Sequence, residues 1–353
     1  MNAQRGSIEE RSVADLAREL VAADAGGWTP DGVKALAERL GWAWGGTSDQ
    51  PVLVTGLASG NARLRPVGTY EERYVDNESY VELAVPLATV ASDAAAQAAA
   101  FRAAREELVA ALGKPSVMGS HGEMGPFYDS GPLWGAPFTR WRGRPNTLEL
   151  RAGKSGPELV LRPTDPAENW FWRQGVGEEH SISGFFGSTR DPANAGLGFP
   201  GGWTARSWET VSSSLGDFLG ALPAEVHALG ITIGMPFYGR TGSGSPILFD
   251  VACDGDRLAI GCFAPDGVDP AALGWGTVAE HPDTASIWGD DARVWRVDAG
   301  GPGEPKGHAL AKMLVETARA VGVVEPTDLI IGGEADYVDG YHVTYYGLGL
   351  PTG

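Results

Sequence analysis

The residue types in this chain that could do chemistry are six histidines, two cysteines and many carboxylates. The histidines are His121, His180, His227, His281, His308 and His342. No two of them stand four residues apart, and no His-Glu-x-x-His occurs, so a helical zinc site has no local support. Cys253 and Cys262 have no neighbouring histidine to take up a proton. Both lie in apolar, β-prone stretches where a thiol stays protonated. Asp250, Asp254 and Asp256 look like the start of a calcium loop, but the closing glutamate is missing at the required offset. The pattern predicts a solvated hairpin tip.

Other patterns are as weak. Gly242-Ser243-Gly244-Ser245 is not a nucleophile elbow and reads as a flexible turn. The loop from Gly300 to Gly307 follows a strand and precedes a helix, where backbone amides could cradle a phosphate. Pro302 and Pro305 remove amide donors and Glu304 adds a negative charge, so it reads as a connector. Glu71/Glu72, Glu106/Glu107 and Asp290/Asp291 are adjacent in sequence and do not face each other across a substrate. The expectation is no catalytic residue, no metal and no cofactor. Aromatic residues are the remaining signal. Twelve tryptophans are mostly core material. Trp42 and Trp44 follow a helix end, and Tyr128 and Trp134 sit in a Gly/Pro-rich loop. Loop aromatics can serve as protein-recognition anchors. With Asp254 and Asp256 at the hairpin tip, these are the candidate contact residues.

The elements that must position them follow from periodicity and punctuation. Ser12 can cap a helix over 12–24, with Val13, Leu16, Leu20 and Val21 at helical spacing. Thr29 caps a second helix that has Pro30 at its first position and ends at Gly41. Strands are expected at 51–57, 61–67 and 78–86. Ser92 or Asp93 then caps an alanine-rich helix to Leu112. A loop is expected over 114–137, with strands at 138–142, 146–152 and 157–162 and a short helix near Asp165. Residues 175–202, rich in Gly, Ser, Asn and Pro, are expected as a linker, though Phe185, Phe186 and Phe199 could pack on a domain. A helix runs from Trp203 to about Leu222. Strands follow at 231–237, 246–252, 257–263 and 293–298, a helix at 307–321, and strands at 328–335 and 341–346. Grouped strands joined by short turns predict an α+β fold of two domains, each an antiparallel sheet with helices packed on one face. The division is 1–174, a linker at 175–202, and 203–353.

The chain has 353 residues, 43% apolar and 20% charged, which is globular and long enough for two cores. Its net charge is −18, with −4 through Gly175 and −14 beyond it. Such a surface repels phosphate backbones, so nucleic acid is excluded as a partner. It keeps the chain soluble, and it can attract a basic partner. No apolar leader or membrane-length window occurs, and a cytoplasmic location is expected. Cys253 and Cys262 flank one expected hairpin. A cross-strand bridge and two buried thiols are the two readings, the second favoured by that compartment.

Several pieces of the second half carry a resemblance. These are Val251-Ala252-Cys253, Leu273-Gly274-Trp275, Trp295-Arg296, and Gly322-Val323-Val324-Glu325-Pro326-Thr327-Asp328-Leu329. Residues 203–350 resemble the YbjN-like and type III secretion chaperone-like modules. The Gly/Pro loop before the last helix and the glycines at 239–244 depart from that pattern. The first half is similar to a domain of unknown function widespread in actinobacteria. The matching pieces are Trp28-Thr29-Pro30-Asp31, Leu40-Gly41-Trp42, Ala111-Leu112-Gly113-Lys114-Pro115 and Leu148-Glu149-Leu150. The resemblance implies a chaperone-like fold and a non-catalytic role, holding a secreted effector or neutralising a toxin as an immunity protein would. Its mechanism would be occlusion of the partner's apolar segment on a sheet face or groove, with an acidic rim guiding encounter. The repeated element order suggests a monomeric pseudo-dimer, with a homodimer as the other arrangement. Two further function classes remain: an enzyme whose site assembles only in three dimensions, and a structural component of a larger assembly.

Overall fold

The computed structural model describes residues 11–47, 51–69, 71–73, 75–90, 93–121, 136–168, 185–189, 204–255, 257–263, 267–277, 279–280, 294–302, 306–332, 336–345 and 348–353. The first helices form where their caps stand. Ser12 accepts from the Asp15 amide at the start of α1 (Val13–Val21), and Thr29 accepts from Gly32 at the start of α2 (Pro30–Arg39). Four strands then run as a meander: β1 (Ala43–Gly46), β2 (Pro51–Val54), β3 (Ala62–Pro66) and β4 (Tyr80–Pro86). Asp93 caps α3 (Ala94–Leu112), accepting from the Ala96 amide at 2.9 Å. A second meander follows: β5 (Val117–His121), β6 (Ala136–Trp141), β7 (Asn146–Gly153) and β8 (Gly156–Pro163). It returns so that β8 pairs with β4.

The large sheet does not stop there. β9 (Phe186–Thr189) pairs with β5, and the C-terminal hairpin of β15 (Asp336–Val338) and β16 (Tyr341–Thr344) pairs onto β9. The result has eleven strands in the order β1-β2-β3-β4-β8-β7-β6-β5-β9-β16-β15. A second sheet contains β10 (Thr232–Gly239), β11 (Ile247–Asp254), β12 (Arg257–Cys262), β13 (Trp295–Gly300) and β14 (Leu329–Ile331), in the order β13-β12-β11-β10-β14. Neighbouring strands in both sheets are antiparallel, and the fold is α+β.

The helix α4 (Trp208–Leu229) joins the two sheets. It packs on α3 and on α5 (Gly307–Ala320), and it touches β5 and β6 of one sheet and β11 and β12 of the other. One apolar cluster therefore runs from Leu16 of α1 through Leu215 and Phe218 of α4 to Leu350. α4 passes through Pro223 and ends at Gly230, beyond the end near Leu222 expected from the sequence. An interior proline removes one helical hydrogen bond and costs about 3 kcal/mol. Burial of Leu222, Ala224, Val226, Ala228 and Leu229 on two sides offsets that cost.

Other departures concern pairing between distant segments. β5 forms inside the stretch expected as loop. β9 forms inside the stretch expected as linker, with Phe185 and Phe186 buried. The boundary expected at 175–202 is thus crossed by backbone hydrogen bonds, and the last strands of the chain lie in the first-half sheet. The two meanders also close differently. β14 joins β10, the first strand of its meander, whereas β8 joins β4, the last of its own. The shared element order does not make the halves copies of one topology, so a pseudo-dimer does not follow from the connectivity. Register also decides the cysteines. Cys253 pairs with Leu258, while Cys262 pairs with Phe249, four residues along β11. That offset is about 13 Å along the strand, beyond disulfide reach. Both thiols are free and buried.

Candidate functional site

Among the described residues the large sheet ends in β1 on one side and β15 on the other, and the end of α2 leads into β1. Gly41, at φ +72°, lets the chain reverse, and the Trp42 amide donates to the Ala37 carbonyl at 2.8 Å. Trp42 then turns into the core, 4% exposed, so the structure corrects its candidacy as a contact residue. Two residues later the strand period would return the next side chain to the same face, but β1 lies at the rim of the sheet. Trp44 is 39% exposed there. Its ring meets Tyr80 edge-on at 6.3 Å, and the Lys34 ammonium of α2 lies 5.7 Å from its centroid. These contacts hold the indole in place while leaving part of its surface open.

Among the described residues β1 pairs with β2 alone. Every second residue of β1 therefore directs its backbone amide and carbonyl outward. The strands read Ala43-Trp44-Gly45-Gly46 and Pro51-Val52-Leu53-Val54, without a charged residue. Val54 pairs with Ala43 and is 46% exposed. Five large apolar side chains are exposed among the described residues, namely Val21, Trp44, Val54, Ile247 and Val324. Two of the five thus sit on neighbouring strands at one open edge.

The face of the large sheet opposite the core has different chemistry. In β7, Leu148 and Leu150 enter the core while Glu149 and Arg151 point away. In β8, Leu159 and Leu161 enter while Glu158 and Arg162 point away. Arg151 grips both oxygens of Glu82 at 2.8 and 2.7 Å and reaches Glu158 at 3.1 Å. Arg162 bridges Glu149 at 2.9 Å and Glu82 at 3.4 Å. Arg63 pairs with Glu158, Arg140 with Glu149, and Arg65 lies 3.9 Å from Glu82. Glu82, Glu149, Glu158 and Arg162 are all buried. Burial alone would raise the Glu82 pKa, but Arg151, Arg162 and Arg65 outweigh it and hold the carboxyl at about 2. Glu149 is lowered too, because Arg140 and Arg162 outweigh its burial. Burial lowers the Arg162 pKa, only partly offset by Glu149 and Glu82. The signal was present in sequence: Leu-Glu-Leu-Arg at 148–151 carries charge at alternate positions, and Glu158 and Arg162 share one face of the strand beyond the tight turn.

The remaining candidates are separated. Asp254 is exposed at the tip of the β11–β12 hairpin, beside Gly255 at φ +62°, and accepts from the Thr232 hydroxyl at 2.9 Å. Tyr128, Trp134 and Asp256 lie outside the described residues. His308 pairs with Asp217 at 3.3 Å on the α4–α5 contact. Among the described residues no group of three or more His, Cys, Asp and Glu is placed to hold a metal ion, and no helix is long and apolar enough to cross a membrane. The motif residues of the second half pack and turn. Trp275 stacks on Phe249 at 5.8 Å and donates to Thr317 at 2.9 Å. Gly274 takes φ +97° and Pro326 is buried. No protein-family model, curated protein or solved structure matches the chain.

Proposed function

We propose that this protein is a non-catalytic binding partner for another protein, chaperone-like or immunity-like, and that it receives an extended segment of that partner along β1. The observation that carries the reading is that Trp44 and Val54 are exposed on the two outermost strands of one sheet edge, one on each face, where neither strand carries a charged residue and β1 has no second strand partner among the described residues. Natural proteins usually guard such edges with charge, proline or a covering element. An added strand would gain backbone hydrogen bonds, and a partly held tryptophan supplies an anchor at low entropic cost. The resemblance to the secretion-chaperone modules supports the same class of role. The proposed mechanism differs from occlusion on a sheet face, because the face of the large sheet opposite its core is occupied by the protein's own arginine–glutamate pairs. The acidic surface, at −18 overall, would select basic partners at encounter.

Co-purification of the native protein with mass spectrometry tests this. One stoichiometric protein should accompany the wild type. Trp44→Ala should weaken the complex by about 30-fold, the scale of a binding hot spot. Val54→Lys, which places a charge on β2 beside the edge strand, should act in the same direction. Recovery of a clean monomer with a bound metabolite, or full retention of the partner by both variants, would refute the reading.

A further inference from the structure

Glu225 is a buried ionisable group for which strand addition has no use. It lies in the last two turns of α4, 1% exposed, where Leu222, Val226 and Leu229 are buried around it. Its carboxyl shares a hydrogen bond with Ser120 of β5, and its Oε2 has no partner. On the adjacent strand β6, the Thr139 hydroxyl is also buried without a partner. A carboxylate in such a place would lack both water and a compensating cation.

Among the described residues the charged groups on the surrounding elements have other partners, although Arg105 Nη1 comes beside Gly230 at the end of α4. From α3, Arg105 interacts with Tyr341 and Asp339. From α5, His308 pairs with Asp217, two turns back along α4, and Lys312 pairs with Glu316. From β6, Arg140 reaches Glu149 on the opposite face of the sheet. From β5 the facing group is Ser120, and β11 and β12 carry the buried thiols of Cys253 and Cys262. Two residues before Glu225, Pro223 removes one rung of the helix ladder and leaves a weak point.

We propose that Glu225 is a proton-operated latch between α4 and the large sheet. Neutral, it lets the end of the helix seat on β5 and β6. When it loses its proton to solvent, that end comes away while the small sheet keeps its structure. Burial pushes its pKa up to about 8, and the Ser120 hydrogen bond offsets only part of that rise. A carboxyl whose folded value lies above the ordinary 4.5 stabilises the seated state fully below 4.5, and this contribution is lost as pH rises toward 8.

Hydrogen exchange measured from pH 5 to 9 on the full chain tests the latch, with protection corrected for intrinsic rates. In the wild type, protection of residues 224–230 and 117–120 should fall about tenfold per pH unit and level off above about pH 8. In Glu225→Gln it should be independent of pH. Residues 249–254 of β11 and 257–260 of β12 should not respond in either protein. A fall of equal slope in the Gln variant, an equal fall in β11 and β12, or no fall in the wild type would overturn the proposal. Ser120→Ala provides a second arm should the Gln variant fail to fold. Its plateau should move above that of the wild type, and an unmoved plateau counts against the latch.

Discussion

Glu82→Gln should destabilise the protein through loss of charge alone. Gln keeps the shape and can still accept from Arg151, but Arg151 and Arg162 then lose a buried counter-charge. The carboxyl pKa falls from 4.5 to about 2 on folding. At about 1.4 kcal/mol per pH unit, that difference corresponds to on the order of 3 kcal/mol. The folded value is depressed, so this stabilisation is present above pH 4.5 and is lost as pH falls through about 2. Urea unfolding followed by tryptophan fluorescence, run on wild type and variant at pH 6 and pH 3, reads it directly. The variant should be about 3 kcal/mol less stable at pH 6 and about 1.5 kcal/mol less stable at pH 3. The corresponding melting shift at pH 6 is about 4 °C for a chain of this length. A difference under about 0.5 kcal/mol at pH 6, the size of an exposed ion pair, would refute the reasoning. So would an equal difference at both pH values.

Two further outcomes follow from close packing and from register. A Cβ at Gly307 would overlap the Gly216 carbonyl and the Gly220 backbone, so Gly307→Ala should cost about 2 kcal/mol in thermal unfolding. Gly220→Ala, whose Cβ would meet only the Gly307 Cα at 3.8 Å, should be neutral or stabilising by up to about 1 kcal/mol. The offset of Cys253 and Cys262 along the β11–β12 pair predicts that neither thiol labels in the folded protein and that both label in denaturant. Reduction should leave the mass unchanged.

The parts of the fold legible in sequence are those decided within a few residues. Ser12, Thr29-Pro30 and Asp93 mark helix starts because a side-chain oxygen and a nearby amide suffice. The alternation over 146–152 and 157–162 is likewise local. β5 and β9 were not legible, since Val117–His121 and Phe186–Thr189 become strands only through partners far along the chain. α4 beyond Pro223 depends on two sheets meeting around it, which no local rule reports. At the candidate site, the sequence offered Trp42 and Trp44 as equals. The turn at Gly41 and the rim position of β1 separate them, burying one and exposing the other.

The same contrast decides where a partner gains free energy. On the face bearing Glu82, Glu149, Arg151 and Arg162, an incoming charge must displace one already held at hydrogen-bond distance. Exchanging one buried pair for another returns little, and removing one member leaves the other uncompensated. An apolar segment laid on that face would desolvate Arg63 and Arg65, which are still substantially exposed, without pairing them. At β1 the balance is reversed. Outward amides and carbonyls left to solvent would bond to water, so an added strand would exchange water for backbone at small net cost. Covering Trp44 and Val54 then adds apolar burial at about 25 cal/mol per Å². If a basic partner binds at β1 as proposed, the net charge of −18 would raise its rate of encounter, while contacts at the edge would set how long it stays.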